Sequence, residues 1–485
     1  MNSKFKTMHP FIIEIEIIKK CTVQYELNRL NIPNEDIEFE VSCSDSEKDE
    51  YEIFNSDFIH NFNQPGKYRI SFRGNLPGIF LRDTDKCHLL DVCQWGDNIW
   101  INMNEMFSEC GHFNISANDR PDLSKVKSLK LMFNKAKSMN APIENWDVSN
   151  ITNMSGLFSE AESFDQPLEN WNVSNVTNMQ GMFKGAESFN QPIGNWDVSK
   201  VINMSWMFYH ASLFNQPIEK WNVSNVTNMC GMFDGASSFN QPLEKWNTSN
   251  VINMYGMFMC ADSFNQPIEK WDVSKVKNMS LMFSSAYSFN QPLGAWNVSK
   301  VTNMGEMFAY AHSFDQSIDK WDVSNVISMD LMFYGASSFN QPLENWDVSN
   351  VQDMSWMFDD AKSFNQPLEK WNVSNVTNMQ GMFKGAESFN QPLEKWNVSN
   401  VTNMYRMFKC AKLFNQPLEN WDVSNVEDMT QMFDSAESFN QPLEKWNILN
   451  VRYMSSIFSG SGMHDPSWVK ESEEYDDDEE YDDVP

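Results

Sequence analysis

A unit of 25 residues recurs along most of the chain, and no other sequence feature constrains the fold as strongly. Thirteen tryptophans mark the period in steps from Trp146 to Trp446. A full copy starts at Phe364 and reads FNQPLEKWNVSNVTNMQGMFKGAES. Weaker copies lie before Trp146, and the last copy is atypical. Because one copy cannot bury its own apolar face, the copies are expected to stack as a solenoid with irregular end units.

The spacing of apolar residues inside one copy predicts its secondary structure. Trp371 and Val373 are two residues apart, as in a short strand with both side chains inward. Apolar residues then follow at steps of three and four, as on one face of a helix: Val376, Met379, Met382, Phe383 and Ala386. Parallel strands stack at about 4.8 Å and helices at about 8–10 Å, so such a stack curves. The sequence therefore predicts an α/β, curved solenoid of short parallel strands and short helices.

Three segments of different character predict the domain organisation. Residues 1–86 show near-alternation of apolar and charged residues in Phe11–Ile18, Asp36–Val41 and Tyr68–Phe72, which is typical of a small β-domain. Residues 87–461 are predicted to form the solenoid. Residues 462–485 include ten acidic residues within Glu471–Pro485, and a block of like charge predicts a disordered tail.

Charge and hydropathy limit the partners that we expect. The chain has 66 acidic and 36 basic residues, a formal net charge of -30, which disfavours nucleic acid and anionic membranes. No apolar run is long enough for membrane insertion. The segment MNSKFKTMHPFIIEIEIIKK lacks the apolar core of a signal peptide. We therefore expect an intracellular protein; the resemblance described below adds host cytoplasm, if the protein is viral, and leaves a virion or surface location open.

The sequence gives no sign of catalytic, cofactor or metal chemistry. Eight cysteines form no CxxC pair and seven histidines are scattered without ligand spacing. The residue after tryptophan is Asp in some copies, as at Asp347, and Asn in others, as at Asn372. A general acid or a hard-metal ligand does not exchange freely with an amide, whereas a hydrogen-bonding ladder accepts either. We therefore expect no enzyme, no cofactor and no metal.

Variation between copies is concentrated on both sides of the Met-Phe pair. The recurring Trp, Met and Phe lie at inward positions and are interpreted as core. The outward strand residues are nearly uniform, so we expect a specific partner to contact the other side of the unit. Candidate partner-binding residues are Trp206, Tyr209, His210, Trp356, Tyr405 and Arg406.

The unit WDVSNVTNM-x-x-MF-x-x-A-x-x-FNQPL resembles the BspA-like leucine-rich-repeat proteins. It is more closely similar to the 25-residue repeat of unknown function common in mycoplasmas and amoebal giant viruses, as is the leading segment from Gly66 to Trp100. The resemblance implies a leucine-rich-repeat-like fold and, in bacterial members, surface display, adhesion and protein binding. It supplies no catalytic residue. We predict a monomeric, non-catalytic scaffold for protein–protein interaction; the alternative is a structural or surface protein of virion or adhesin type.

Overall fold

The computed structural model describes residues 5–28, 37–44, 51–81, 83–84, 87–464, 466 and 468–469. The chain divides into two compact units, residues 1–251 and 252–485, and each is described by itself. Most of the predicted acidic tail, residues 462–485, lies outside the described residues, so its predicted disorder stays a prediction. The predicted domain limits at residues 86 and 461 also stay predictions.

The first unit begins with a small β-domain, as predicted. In β1, every second residue is fully buried, while Glu14 and Glu16 between them are half-buried. This alternation places one face of β1 in the core. A six-stranded sheet has the order β4-β3-β6-β1-β7-β8, with β7 and β8 parallel, and β2 pairs with β5. The strands are β1 Phe11–Ile17, β2 Cys21–Tyr25, β3 Glu38–Cys43, β4 Glu52–Phe54, β5 Phe58–Phe62, β6 Gly66–Asn75, β7 Cys87–Gln94 and β8 Asn114–Ile115.

Each 25-residue copy, called a rung from here on, is built from turns. In the part of the chain that the structure describes there is no α-helix, so the predicted short helices are wrong. Within Met379–Ala386 the backbone N–H groups of Met382 and Ala386 donate to carbonyls three residues earlier, at 3.2 and 3.1 Å. Gly381 and Gly385 have left-handed backbone, with φ of 56° and 63°. Left-handed backbone at the third residue of a turn is the signature of type II geometry.

Two different structures explain the same apolar spacing. Turns that close at three residues return the chain to the core at steps of three and four, as a helix does. Left-handed backbone at every fourth residue interrupts an α-helix, however. The backbone N–H groups at alternate residues instead donate to backbone carbonyls of the next rung. The four bonds are Met379 to Asn403 at 3.0 Å, Gly381 to Tyr405 at 2.7 Å, Phe383 to Met407 at 2.9 Å and Gly385 to Lys409 at 2.7 Å. Adjacent rungs of the second unit are therefore joined by a backbone ladder.

The predicted strand at Trp371–Val373 is also wrong. The Oδ1 atom of Asn372 accepts the backbone N–H of Ser374 at 3.2 Å, which closes a local turn. The parallel bridge between rungs lies instead at Asn378, which pairs with Asp353 on one side and Asn403 on the other. The leucine-rich-repeat-like α/β architecture is therefore corrected to stacked turns, and the helical layer on which the predicted curvature depends is absent from the described residues.

Stacked aromatic rings fill the interior of the rungs, which confirms their interpretation as core. The rings of Trp371 and Trp396 lie 6.3 Å apart and 3° from parallel, and those of Phe383 and Phe408 lie 5.6 Å apart. The Nε1–H group of Trp371 donates to the carbonyl of Leu343 in the previous rung at 2.9 Å. A buried indole needs such a partner, so the tryptophan column stabilises the stack by packing and by a hydrogen bond at each step.

Candidate functional site

The polar residue after the first Phe of each rung has a structural role. The Oδ1 atom of Asn340 accepts the backbone N–H of Asn365 at 2.9 Å and the Nε2–H of Gln366 at 3.0 Å. Asp315 fills the same position and accepts the N–H of Asn340 at 2.9 Å. Only one side-chain oxygen is required, so Asn and Asp both satisfy the next rung. This column joins rungs and is not available for other chemistry.

The Asp/Asn position after tryptophan is occupied by a local bond rather than by the expected ladder between rungs. Asp347 Oδ1 accepts the backbone N–H of Ser349 at 3.1 Å, two residues along the same rung. The hydroxyl and the N–H of Ser349 lower the pKa of Asp347, because both stabilise the carboxylate. The position after tryptophan accepts both Asp and Asn, as predicted, because either side chain closes the turn.

Two positions in each rung carry left-handed backbone, and they contain most of the candidate residues. The first left-handed position is the residue before Met-Phe, and the second is the second residue after it. Trp206, Trp356 and Arg406 occupy the first position with φ of 54°, 55° and 55°, and His210 occupies the second with φ of 52°. Non-glycine residues in this region cost roughly 1–2 kcal/mol. Glycine occupies the same positions in other rungs, as at Gly381, so the large residues are retained despite a conformational cost.

Large side chains at these positions lie against the following rung. A Cβ built on Gly231 would come within 2.3 Å of Cδ1 of Trp206, and one built on Gly381 within 1.8 Å of Cε3 of Trp356. Real Cβ atoms do not approach so closely, so only glycine leaves room for the ring. The two tryptophans are therefore coupled to the next rung, because each is followed, 25 residues later, by glycine. Arg406 is followed by Gln431, so the coupling is not a property of every rung.

In the second unit the structure brings three candidates together. The Trp356 cluster consists of Trp356, Lys384, Tyr405 and Arg406. Trp356 and Tyr405 meet edge to face at 6.3 Å, Lys384 Nζ lies 5.2 Å from the Trp356 ring, and Arg406 Cζ lies 4.7 Å from the Tyr405 ring. All four side chains are half-buried. Aromatic and arginine side chains of this kind are the residues that most often contribute to binding at protein interfaces.

Beneath this cluster lies a buried carboxylate that sequence reasoning did not select. The Asp359 side chain is 2% exposed, and its Oδ2 atom lies 3.3 Å from Lys384 Nζ. Its Oδ1 atom is buried and has no hydrogen-bond partner. Burial raises the pKa of Asp359 to about 7, although Lys384 acts in the opposite direction. The only sequence signal was its place directly after Met-Phe.

The first unit holds the other three candidates in one rung. Trp206 is 37% exposed, His210 is exposed and Tyr209 is half-buried. The rings of Tyr209 and His210 meet at 4.4 Å, and Lys184 Nζ lies 5.3 Å from the Tyr209 ring. The six predicted residues therefore lie in two places. Trp356, Tyr405 and Arg406 belong to the Trp356 cluster, whereas Trp206, Tyr209 and His210 share one rung, in which the Tyr209 and His210 rings are in contact.

The described ranges hold no feature for binding a metal ion or for crossing a membrane with a helix. No group of three or more His, Cys, Asp or Glu residues there is placed to hold a metal ion. Nor is any helix among these residues long and apolar enough to cross a membrane.

No curated protein and no solved structure matches the chain. A family model described as "Mycoplasma protein of unknown function, DUF285" matches residues 101–221, 202–317, 290–392 and 366–468. These overlapping matches extend from residue 101 to residue 468, more than half of the 485 residues. The chain belongs to this mycoplasma-type repeat family.

Proposed function

We propose that the chain is a non-catalytic scaffold that binds another protein through the residues at its left-handed positions. The observation that carries the proposal is the Trp356 cluster, in which two aromatic rings and two cations lie together on the surface of the second unit. The chain's membership of a repeat family of unknown function is consistent with this role. The finer resemblance to BspA-like and giant-virus proteins stays a prediction.

The roles of the other columns support the choice of surface. Tryptophan, methionine and phenylalanine fill the core, and the Asp/Asn columns close turns or join rungs. Substitutions in those columns change the stability of the fold, so their residues cannot vary freely to suit a partner. The left-handed positions point to the surface and differ from rung to rung, so they are free to specify a partner. Retaining Trp356 where glycine suits the backbone better favours a role beyond folding.

The test uses glycine, because the fold itself places glycine at these positions. The double variant Trp356→Gly/Arg406→Gly and the wild type are used in quantitative affinity capture from the native cell. We expect the specific partner to be recovered about tenfold less with the variant, the usual effect of removing interface anchors. The matched control is Asp347→Asn/Asn372→Asp, which keeps both turn-closing oxygens and should leave recovery unchanged.

Two outcomes would contradict the proposal. In the first, recovery of every specific partner is the same for the Trp356 cluster variant and for the wild type. In the second, the Asp347/Asn372 control lowers recovery more than the cluster variant does. Circular dichroism and a urea titration of each variant establish that the rungs remain folded, so that loss of capture is assigned to the surface.

A further inference from the structure

Interior rungs pass four backbone N–H groups to the rung that follows. The last complete example joins the rung of Met429 to the rung of Tyr453. Its four bonds are Met429 to Tyr453 at 2.8 Å, Gln431 to Ser455 at 2.9 Å, Phe433 to Ile457 at 2.8 Å and Ser435 to Ser459 at 2.6 Å. The acceptors are carbonyls of alternate residues in the next rung. Each row of four donors therefore requires four carbonyls, from alternate residues, in the chain that lies against it.

The final rung carries the same donors without these acceptors. The corresponding N–H groups belong to Met454, Ser456, Phe458 and Gly460, and none of them has an acceptor among the described residues. Ser456 occupies the first left-handed position of this rung and Gly460 the second, with φ of 52° and 66°. The final rung is thus folded like the others and ends in an open row of donors, comparable to the edge of a sheet.

The described residues after the final rung cover its core but make no hydrogen bond to this row. The Trp468 indole donates to the carbonyl of Leu443 at 3.4 Å, and its ring stacks on Trp446 at 6.5 Å. Trp468 therefore replaces the tryptophan that another rung would have supplied. It also contacts the ring of Phe458, at 6.0 Å, and makes no bond to the four N–H groups.

The final rung that carries the open row also exposes two large side chains. Leu449 is 89% exposed and Tyr453 is 62% exposed. The preceding rung has Ser424 and Asp428 at these positions, and both are engaged in local turns. End units of repeat stacks normally present a polar outer face. Here the final rung exchanges polar residues for apolar ones and also holds unsatisfied donors, which is the composition of a contact surface.

We propose that the final rung binds an extended segment of a different protein. The segment supplies backbone carbonyls at alternate residues to the four donors and apolar side chains to Leu449 and Tyr453. Addition of an extended segment to an open edge of this kind is an established mode of peptide recognition. The surface is separate from the Trp356 cluster, so the proposal goes beyond the proposed function and does not depend on it.

A second copy of this chain does not meet the requirement. The first rung has the complementary acceptors, but the β-domain already occupies two of the four: the Leu81 N–H donates to the Met106 carbonyl at 2.8 Å, and Asn28 Nδ2 donates to the Asn104 carbonyl at 2.9 Å. Two final rungs placed edge to edge would oppose donors with donors. The occupant is therefore a chain with an uncovered row of carbonyls.

Hydrogen exchange on the full chain provides the test, with a synthetic peptide of the sequence Asn375–Phe389 as the probe. This peptide copies an interior rung and contains the four carbonyls that such a rung supplies. Without peptide, the four open amides should exchange about tenfold or more faster than their counterparts in the preceding rung. Saturating peptide should slow them by about tenfold. Equal protection without peptide would show that the chain covers its own edge, and it would overturn the proposal, as would unchanged exchange at saturation.

A pair of variants tests the two exposed side chains of the final rung. Leu449→Ser/Tyr453→Asn gives the final rung residues that interior rungs carry, so it should fold, and it should weaken peptide binding about tenfold. The control is Leu413→Ser/Ile327→Thr, which removes two other apolar side chains of 55% and 48% exposure. The control should bind like the wild type. Equal affinity in both variants, or equal loss in both, would overturn the assignment of the surface.

Discussion

The ring of Trp356 lies against the backbone of Gly381, so close that a Cβ at residue 381 would be 1.8 Å from Cε3 of the ring. Gly381→Ala should therefore destabilise the second unit by about 2–4 kcal/mol, from left-handed strain together with displacement of the ring. Gly256→Ala is the matched control. It has the same backbone, with φ of 53°, but only ordinary contacts around the added atom, and it should cost about 1 kcal/mol. Urea titration followed by circular dichroism measures both.

The coupling between the two residues can be isolated with a third variant. In a Trp356→Gly background the ring is absent, so Gly381→Ala should cost no more than Gly256→Ala does. A coupling free energy near zero in this double-mutant cycle would show that Trp356 does not require glycine in the next rung.

The asparagine after the first Phe of a rung should accept Asp and reject Ala. Asn365 Oδ1 accepts the backbone N–H of Asn390 and Nε2–H of Gln391, both at 3.0 Å. Asn365→Ala leaves both donors without this acceptor, and we expect a loss of about 1–3 kcal/mol. Asn365→Asp keeps the oxygen, as Asp315 does, and should change stability little. Thermal unfolding of the two variants distinguishes them, and an equal loss in both would contradict the acceptor role.

How far the sequence could predict this molecule depends on which signal is considered. The period and the inward Trp, Met and Phe residues were predicted correctly, because burial repeats at the same residues whatever the backbone does. The helix over Val376–Ala386 was wrong, because a series of turns gives the same apolar spacing. Glycine at Gly381 and Gly385 was the available contrary signal, since φ values of 56° and 63° are incompatible with an α-helix.

The candidate surface, too, could be predicted only in part from the sequence. Variation between rungs directed attention to Trp356, Tyr405 and Arg406, and the structure places all three in one cluster. The sequence could not show that Asp359 lies buried beside Lys384, because that contact joins residues 25 positions apart across two rungs. Nor could it show the open donors of the final rung, since donor satisfaction depends on the backbone path and not on residue type.

The indole hydrogen bond should account for part of the stability of the tryptophan column. Trp371→Phe keeps an aromatic ring but removes one of the two donors to the Leu343 carbonyl, which then keeps only the Trp346 N–H at 3.0 Å, and the smaller ring leaves a cavity. We expect a loss of about 2–4 kcal/mol. Trp468→Phe is the comparison, because its bond is longer, at 3.4 Å, and its ring is half-buried, so the loss should be about 1 kcal/mol or less. Similar losses at both sites would argue against the role of the indole donor.

The buried Asp359 should make stability depend on pH in the direction opposite to a paired surface carboxylate. Its pKa is raised to about 7 in the folded chain by burial, against about 3.9 when unfolded. Between these values the folded state keeps a proton that the unfolded state has released. The contribution of Asp359 to stability therefore falls by up to about 4 kcal/mol as the pH rises from about 4 to about 7. Above that range its contribution is constant.

Asp359→Asn removes this titration. The variant should match the wild type near pH 4 and exceed it at pH 8 in the midpoint of urea unfolding, followed by tryptophan fluorescence. Asp234, whose pKa burial also raises to about 7, leaves a residual slope from the first unit. Asp347→Asn is the control: its pKa is lowered by Ser349, so its contribution is lost only as the pH falls below about 4, and the slope between pH 5 and 8 should not change. An Asp359→Asn protein with the wild-type slope would mean that Asp359 stays ionised beside Lys384 throughout this range.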